Sequence, residues 1–395
     1  MESEEPASRR RATTSVEAEA TKRTAAWAAT TDGYATDAAP GVRVAHATSC
    51  ARVGETVRRT REEREAEQDG VLASGATRAM GAGRRQRDER PDPLRTCFER
   101  DRDRVLHSAA FRRLAGKTQV FIDPLDHQRT RLTHAMEVAQ VAQAIAGATR
   151  LNEDLTYAAA IAHDCGHGPG GHASEEAFGT FLAGGFDHAT WGADVVLAPL
   201  NLCAETLDAV RNHSWSRPAP ATPEGEVLSW ADRIAYVCHD FEDAVAAGIV
   251  KPGEIPRLVA RRCGSTRAAQ ISTFISGVIE AVERTGAVGM TNECAEALAS
   301  FRAWNYERIY LRPDSLEQGR RVRRLLEALV EAYALAPELL PEGRARELGA
   351  QTPEAWRAAV EYVAGMTDRF AVEAASRLLD WPEDELPARY LVRGA

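Results

Sequence analysis

Residues 157–176 read YAAAIAHDCGHGPGGHASEE, and this stretch decides how the chain is organised. An apolar, alanine-rich run from Tyr157 to Ala162 has the character of a buried helix and delivers His163 and Asp164 side by side. His167 follows one helical turn later, and Gly166, Gly168, Pro169, Gly170 and Gly171 then break the helix before His172 and Glu175. Adjacent and (i, i+4) side chains at a helix end can lean toward one point, so two imidazoles and a carboxylate here can converge on a metal. Glycine and proline let the backbone turn tightly, which brings His172 and Glu175 back over that point. Such a site needs further ligands from elsewhere in the chain.

The chain has 395 residues, enough for one large helical domain or two smaller ones with a substantial core. Its hydrophobic share of 44% and charged share of 27% are those of an ordinary globular protein. A net charge of −9 argues against a protein that coats duplex nucleic acid, while leaving room for a local basic pocket. No apolar run approaches the roughly 20 residues of a membrane helix, and MESEEPASRRR at the N-terminus has no apolar signal core, so a cytoplasmic protein without a membrane partner is expected. The seven cysteines are scattered, with no CxxC pair, and read as buried thiols. Cys165, inside the motif, is expected to pack rather than react.

Working outward, residues 1–90 are rich in Ala, Thr, Arg, Glu and Gly and poor in large apolar residues. Such a composition cannot offset ordering entropy by burial, so a disordered, low-complexity extension is expected there, with at most a transient charged helix over 57–68. From Phe98 the pattern is helical, with Val105, Leu106, Ala109, Phe111 and Leu114 recurring on one face. DPLDHQRT (123–130) reads as a loop, and 131–152 as a strong helix with Met136, Val138, Val141, Ile145 and Ala146 inward and His134 near its start. A long helix over 226–250 carries Asp232, Tyr236, His239, Asp240 and Asp243 as a polar stripe on an otherwise apolar element, which points to a stripe facing a cleft. Residues 271–285, 295–310, 315–335, 353–366 and 368–379 read as helices separated by Pro/Gly turns. The RRVRR run at 320–324 reads as a solvated basic face, the alternative being a phosphate contact. The expected fold is all-α, with a core over 91–250 and a C-terminal helical region over 251–395 packed on it.

His134, then His163-Asp164, then Asp232 reproduce the H…HD…D pattern of HD-domain metal-dependent phosphohydrolases. The blocks DRDRVLHSAAFRRLAGKTQVF, RTRLTHAMEVAQVA, AHDCGHGPGGHASEEAF, GGFDH and EGEVLSWADRIAYVCHDFEDA, in this order, more narrowly resemble bacterial deoxyguanosinetriphosphate triphosphohydrolase-like proteins. The resemblance is strong over about 93–250 and weaker toward the C-terminus. Two departures sit near the glycine loop: Gly170, where many members have an aromatic residue, and Asp187 in GFDH, where Asn is commoner.

The resemblance implies an HD-domain helical fold and cleavage of deoxynucleoside triphosphates, dGTP among them, to deoxynucleoside and triphosphate, with water attacking the α-phosphorus and O5′ leaving. It implies His134, His163, Asp164 and Asp232 as metal ligands. A mixed His/Asp set suits Mn, Fe, Co, Ni or Zn as divalent ion, with Mg carried by the triphosphate. His172 matches the general acid, and Glu175 beside it is suited to orient it and raise its basicity. His167 and His188 match positions on the phosphate side, and Arg131 and Arg233 would contact phosphate oxygens, with an ion pair as the structural alternative for Arg131. Gln119, Tyr236 and Asp240 fall where members recognise the deoxyribose. His107, His213 and His239 are expected to be structural, with Asn212-His213 close in sequence to the polar stripe. Members of the family form homo-oligomers, and a single-stranded nucleic acid or an allosteric nucleotide is a further partner that the resemblance brings with it. Two other readings use the same ligands: an HD 5′-nucleotidase or phosphodiesterase, and a nucleotide- or nucleic-acid-binding regulator with weak catalysis.

Overall fold

The computed structural model describes residues 18–25, 27, 33–36, 40–122, 124, 127–341 and 348–387. The chain separates into a small N-terminal unit, residues 1–58, and a large unit from Arg59 onward. In the first, Tyr34–Ala35 and Arg43–Val44 pair antiparallel, Tyr34 opposite Val44. Part of the expected disordered extension, residues 1–17, 26, 28–32 and 37–39, lies outside the described residues.

The large unit is all-α among the described residues. Its main helices are α1 (Arg61–Val71), α2 (Cys97–Leu106), α3 (Arg131–Ala148), α4 (Glu153–Ala162), α5 (His172–Gly179), α6 (Ala204–Asn212), α7 (Pro223–Ala246), α8 (Arg267–Thr285), α9 (Asn292–Asn305), α10 (Pro313–Leu335), α11 (Pro353–Ala364) and α12 (Asp368–Leu379). Their starts are written locally. Thr96 and Glu99 form a capping box, the Asn152 side chain accepts from the Leu155 amide at 3.1 Å, and Thr222 and Thr352 cap helices whose first residue is proline.

Helices α3, α4 and α7 pack on one another around Val138, Ile145, Ile161, Leu228 and Ile234, all fully buried. Each such side chain contributes about 1.5–3 kcal/mol by leaving water. Met136, expected inward, is 54% exposed, because the face of α3 that packs is occupied by Ala135, Val138, Ala139 and Ala142. Phe274 and Val278 of α8 and Leu298 and Phe301 of α9 join this same core. A second core is built from Phe178 of α5, Leu325, Leu326 and Leu329 of α10, Val360 of α11 and Ala371 of α12. The expected division at residue 250 therefore does not coincide with the packing: α8 and α9 complete the first core, and α5 of the motif belongs to the second.

The segment from Arg61 to 90, expected to lack packed structure, is held on the core by polar contacts. Arg64 forms a two-pronged ion pair with Glu99, at 2.6 and 2.9 Å. The buried Glu224 accepts from the Thr77 amide (2.9 Å), the Thr77 hydroxyl (2.6 Å) and the Asn152 amide (3.0 Å). Arg85, its side chain 1% exposed, pairs with the buried Asp101 at 2.6 Å. An apolar-burial criterion overlooks a segment anchored through buried carboxylates.

Candidate active site

Helix α4 ends at His163, and the chain makes a turn through Gly166 before the glycine loop. A Cβ at Gly166 would sit 1.9 Å from the His188 carbonyl and 2.5 Å from the Gly192 amide, so only glycine lets the 188–192 backbone come this close. That approach places His188 beside the motif. Gly171 has φ +63, and a Cβ there would meet Arg131 Nη2 at 2.7 Å. The helix after the loop begins at His172, so His172 and Glu175 lie one turn apart on α5.

Four donors meet from three helices, His134 near the start of α3, His163 and Asp164 at the end of α4, and Asp232 from within α7. His134 Nε2 of α3 lies 3.1 Å from Asp232 Oδ1 of α7 and 3.9 Å from Asp164 Oδ2. His163 Nε2 lies 3.4 Å from Asp164 Oδ1 and 3.7 Å from Asp232 Oδ1. Ligands each about 2.0–2.2 Å from one ion stand roughly 3–3.5 Å apart; the 3.1 and 3.4 Å separations match this, the other two are wider, and His134, His163 and Asp164 converge closely enough to share a cation. Within the protein His163 donates Nδ1–H to the Ala160 carbonyl at 2.6 Å, while its buried Nε2 has no hydrogen-bond partner. A buried lone pair fixed in this tautomer is what a metal ligand requires.

The electrostatics agree. Burial opposes ionisation of Asp164, yet His163, Arg131 and His167 outweigh it and hold this carboxyl well below the usual range. Asp232 is held low in the same way, burial being outweighed by its contacts to His134 and His163. Without a cation, burial pulls the His163 pKa down but Asp164 and Asp232 push it up to about 9.

Beside this cluster stands a histidine group. His167 Nε2 is 3.2 Å from Asp164 Oδ1 and its ring stacks on that of His188, centroids 3.7 Å apart. Glu175 binds two histidines: Oε2 is 3.3 Å from His172 Nδ1, and Oε1 accepts from the His188 amide at 3.1 Å and also meets His188 Nδ1. Burial would raise the Glu175 carboxyl, but these contacts keep it well below the usual range. The His172 side chain is 76% exposed at the cleft. His213, expected to be structural, belongs to this group: Nδ1 donates to the Val210 carbonyl at 2.8 Å, and Nε2 faces His188 Nε2 at 3.3 Å. His163, His213 and Asp232 also converge closely enough to share an ion. The position of His213 one residue past α6 carried no periodic signal that could single it out.

A cleft of ≈ 870 Å³ opens from the cluster along α7, lined by Asp232, Arg233, Tyr236 and Asp240. The polar stripe divides: these residues face the cleft, whereas Asp243 pairs with Arg129 and His239 faces Glu137 on the other side. Arg233 lies over the Trp215 ring, 3.3 Å from its centroid. Gln119 lines the cleft with a buried Oε1 that has no hydrogen-bond partner. The Tyr236 hydroxyl accepts from Arg302 Nε at 2.7 Å, and Tyr310 donates to Asp240. Burial pushes the Asp240 carboxyl up to about 8, against that hydrogen bond. Arg302 and Tyr310 were not anticipated, although their (i, i+4) ladder with Tyr306 was visible in sequence.

Arg131 is buried, its Nη1 donates to Asp164 Oδ2 at 2.7 Å, and it also lines the cleft. Cys165 is buried and burial pushes its thiol up to about 12, in keeping with packing. In the RRVRR run, Arg320 and Arg321 pair with Glu317, Arg323 with Glu327 and Arg324 with Glu385, a paired surface rather than an open phosphate site. No helix among the described residues is long and apolar enough to cross a membrane.

A helical fold with paired His and Asp donors at the base of a cleft is that of an HD-domain hydrolase. Residues 131–237 match the HD domain model and residues 288–377 the phosphohydrolase-associated domain. A deoxyguanosinetriphosphate triphosphohydrolase-like protein of Caldanaerobacter subterraneus subsp. tengcongensis is 39% identical over 325 residues, covering 80% of this chain and 93% of that one. One from Clostridium perfringens is 36% identical over 313 residues, covering 74% and 90%. Among solved structures, a hypothetical protein from Aquifex aeolicus aligns with a TM-score of 0.45 at 16% identity, covering 74% of this chain and 71% of that one. The chain belongs to the deoxyguanosinetriphosphate triphosphohydrolase-like family of HD-domain phosphohydrolases. Membership of the HD family implies a divalent metal, and the His/Asp cluster supplies suitable donors.

Proposed function

We propose that this protein hydrolyses deoxynucleoside triphosphates, dGTP first among them, to deoxynucleoside and triphosphate. The observation that carries the reading is the continuity of the cleft from the His/Asp cluster to a set of polar groups suited to a sugar. Tyr236 and Asp240 follow Asp232 by four and eight residues on α7, so they stand about 6 and 12 Å along the helix from it. An α-phosphate at the cluster would leave its nucleoside beside them. The names of the relatives favour dGTP as substrate.

His134, His163, Asp164 and Asp232 would hold the divalent cation, with Arg131 fixing the orientation of Asp164 through their ion pair. When bound, such a cation offsets charge on the phosphoryl oxygens and acidifies water. His167 and His188 flank the phosphates, and Arg233, supported by the Trp215 face, reaches the outer phosphate oxygens. The leaving O5′ is a poor leaving group and needs a proton. His172 donates it, and Glu175, hydrogen-bonded to His172 and His188 together, orients the imidazole. Gln119 and Asp240 take the 3′-hydroxyl, and the Tyr236 ring leaves no space for a 2′-hydroxyl. Incubation with each dNTP and Mn²⁺, followed by chromatography of the products, tests the reading. Tripolyphosphate is expected. Inorganic phosphate or a nucleoside monophosphate as the primary product would replace it with a nucleotidase or phosphodiesterase.

A further inference from the structure

The glycine loop is tied to the C-terminal helices by two buried ionisable side chains, Asp368 from α12 and Lys117 from the segment before Thr118. Asp368, the first residue of α12, is 8% exposed. Its Oδ1 accepts from the Gly170 amide at 2.8 Å, and its Oδ2 accepts from the Thr118 amide at 2.9 Å and the Thr118 hydroxyl at 2.5 Å. Lys117, 3% exposed, runs the other way: Nζ donates to the His167 carbonyl and, at 2.9 Å, to the carbonyl of Ala364 at the end of α11. The α11–α12 turn seats closely here, since a Cβ at Gly116 would meet Thr367 Cγ2 at 2.8 Å. Thr367 in turn caps α12 by accepting from the Phe370 amide at 3.3 Å.

These contacts link the backbone of three segments. Thr118 precedes Gln119, His167 flanks Asp164, and Gly170 stands two residues before His172. Two buried ionisable side chains, satisfied mainly by main-chain groups, three of them in the 118 and 167–170 segments, would be a costly way merely to dock two helices that already share an apolar core. A glycine-rich loop, by contrast, cannot hold its own conformation and needs external bonds to do so.

We infer that Asp368 and Lys117 are positioning residues, and that α11 and α12 thereby set the register of the glycine loop and the reach of His172 over the cleft. The inference rests on the role proposed above for His172. Neither residue touches the reacting atoms. Misplacement of a catalytic group by about 1 Å costs on the order of 10²-fold in rate, so the clasp has leverage out of proportion to its distance from the chemistry.

The test uses the full-length protein and two substrates: dGTP, whose O5′ must be protonated, and 4-nitrophenyl triphosphate, an ester in which nitrophenolate takes the place of O5′ and leaves without a proton. Asp368→Ala should lose roughly 10²-fold in kcat on dGTP and far less on the nitrophenyl ester, with bound metal unchanged and faster hydrogen exchange at the Gly170 amide. Asp368→Asn, which keeps one acceptor, and Thr118→Val, which removes one bond, should fall between it and wild type and serve if the alanine variant does not fold. Glu373→Ala, on an exposed part of the same helix, should match wild type. Equal losses on the two substrates would reduce Asp368 to a structural residue, and unchanged turnover would remove it from the mechanism. His172→Ala run in parallel separates the failures. If that variant shows no dependence on leaving group, the proton-donor role falls, and Gly170 exchange still decides whether Asp368 holds the loop.

Discussion

Replacing Asp232 by alanine removes the donor that α7 contributes to the cluster. Its Oδ1 stands 3.1 Å from His134 Nε2 and 3.7 Å from His163 Nε2, so it closes the donor set between α3 and α4. Four-ligand sites bind a divalent ion with about 10–16 kcal/mol at neutral pH in zinc-finger peptides. An equal share per ligand is roughly 2.5–4 kcal/mol, or about 10²–10³-fold in affinity at 1.4 kcal/mol per decade. The expected variant therefore loses its metal on dialysis and hydrolyses no dNTP, while α7 still packs through Leu228, Ile234 and Val237. Elemental analysis after dialysis, isothermal titration with Mn²⁺ and turnover of dGTP measure the three quantities, with a chelator-treated melting curve to show that the metal-free fold is retained. Stoichiometric metal at wild-type affinity would refute the ligand role. Metal retained with turnover abolished would instead make Asp232 a catalytic group.

His172→Ala should keep metal and nucleotide binding while slowing dGTP turnover by roughly 10²–10⁴-fold; loss of metal in that variant would reassign His172 as a ligand. Asp240→Ala should reduce the preference for dGTP over 2′,3′-dideoxy-GTP by the equivalent of about 1–3 kcal/mol, measured as a ratio of kcat/KM, and an unchanged ratio removes Asp240 from sugar recognition. The same residue carries a pH signature. Because burial raises its carboxyl from 3.8 to about 8 in the folded protein, the native state holds the extra proton between those values, and this contribution to stability is present at low pH and lost as pH rises through about 8. Asp240→Asn should therefore gain stability relative to wild type across that window, read from paired denaturant titrations at pH 5 and pH 8.5, and a constant difference between the two proteins would show that the shift is absent.

The sequence alone determined the helical architecture and the heart of the site, because both are written in short-range pattern. Apolar periodicity located α3, α7 and the C-terminal helices, and the run 157–176 joined a buried helix to a glycine break with imidazoles and carboxylates packed between them. Spacing along one helix also announced that Asp232, Tyr236 and Asp240 would share a face. What the sequence could not express was pairing between distant segments. The Arg64–Glu99 and Thr77–Glu224 contacts that bind 61–90 to the core span 35 and 147 residues, and composition counts their members only as polar or charged residues. The Arg131–Asp164 ion pair, His213 facing His188, Tyr310 reaching Asp240 and Asp368 bonding Thr118 and Gly170 depend in the same way on which helices meet. Local propensity and periodicity act over a few residues, whereas a buried charge is placed by whichever partner tertiary packing brings within hydrogen-bond reach. That is why the His and Asp members of the cluster could be singled out from the chain, and the groups that contact them only from the fold.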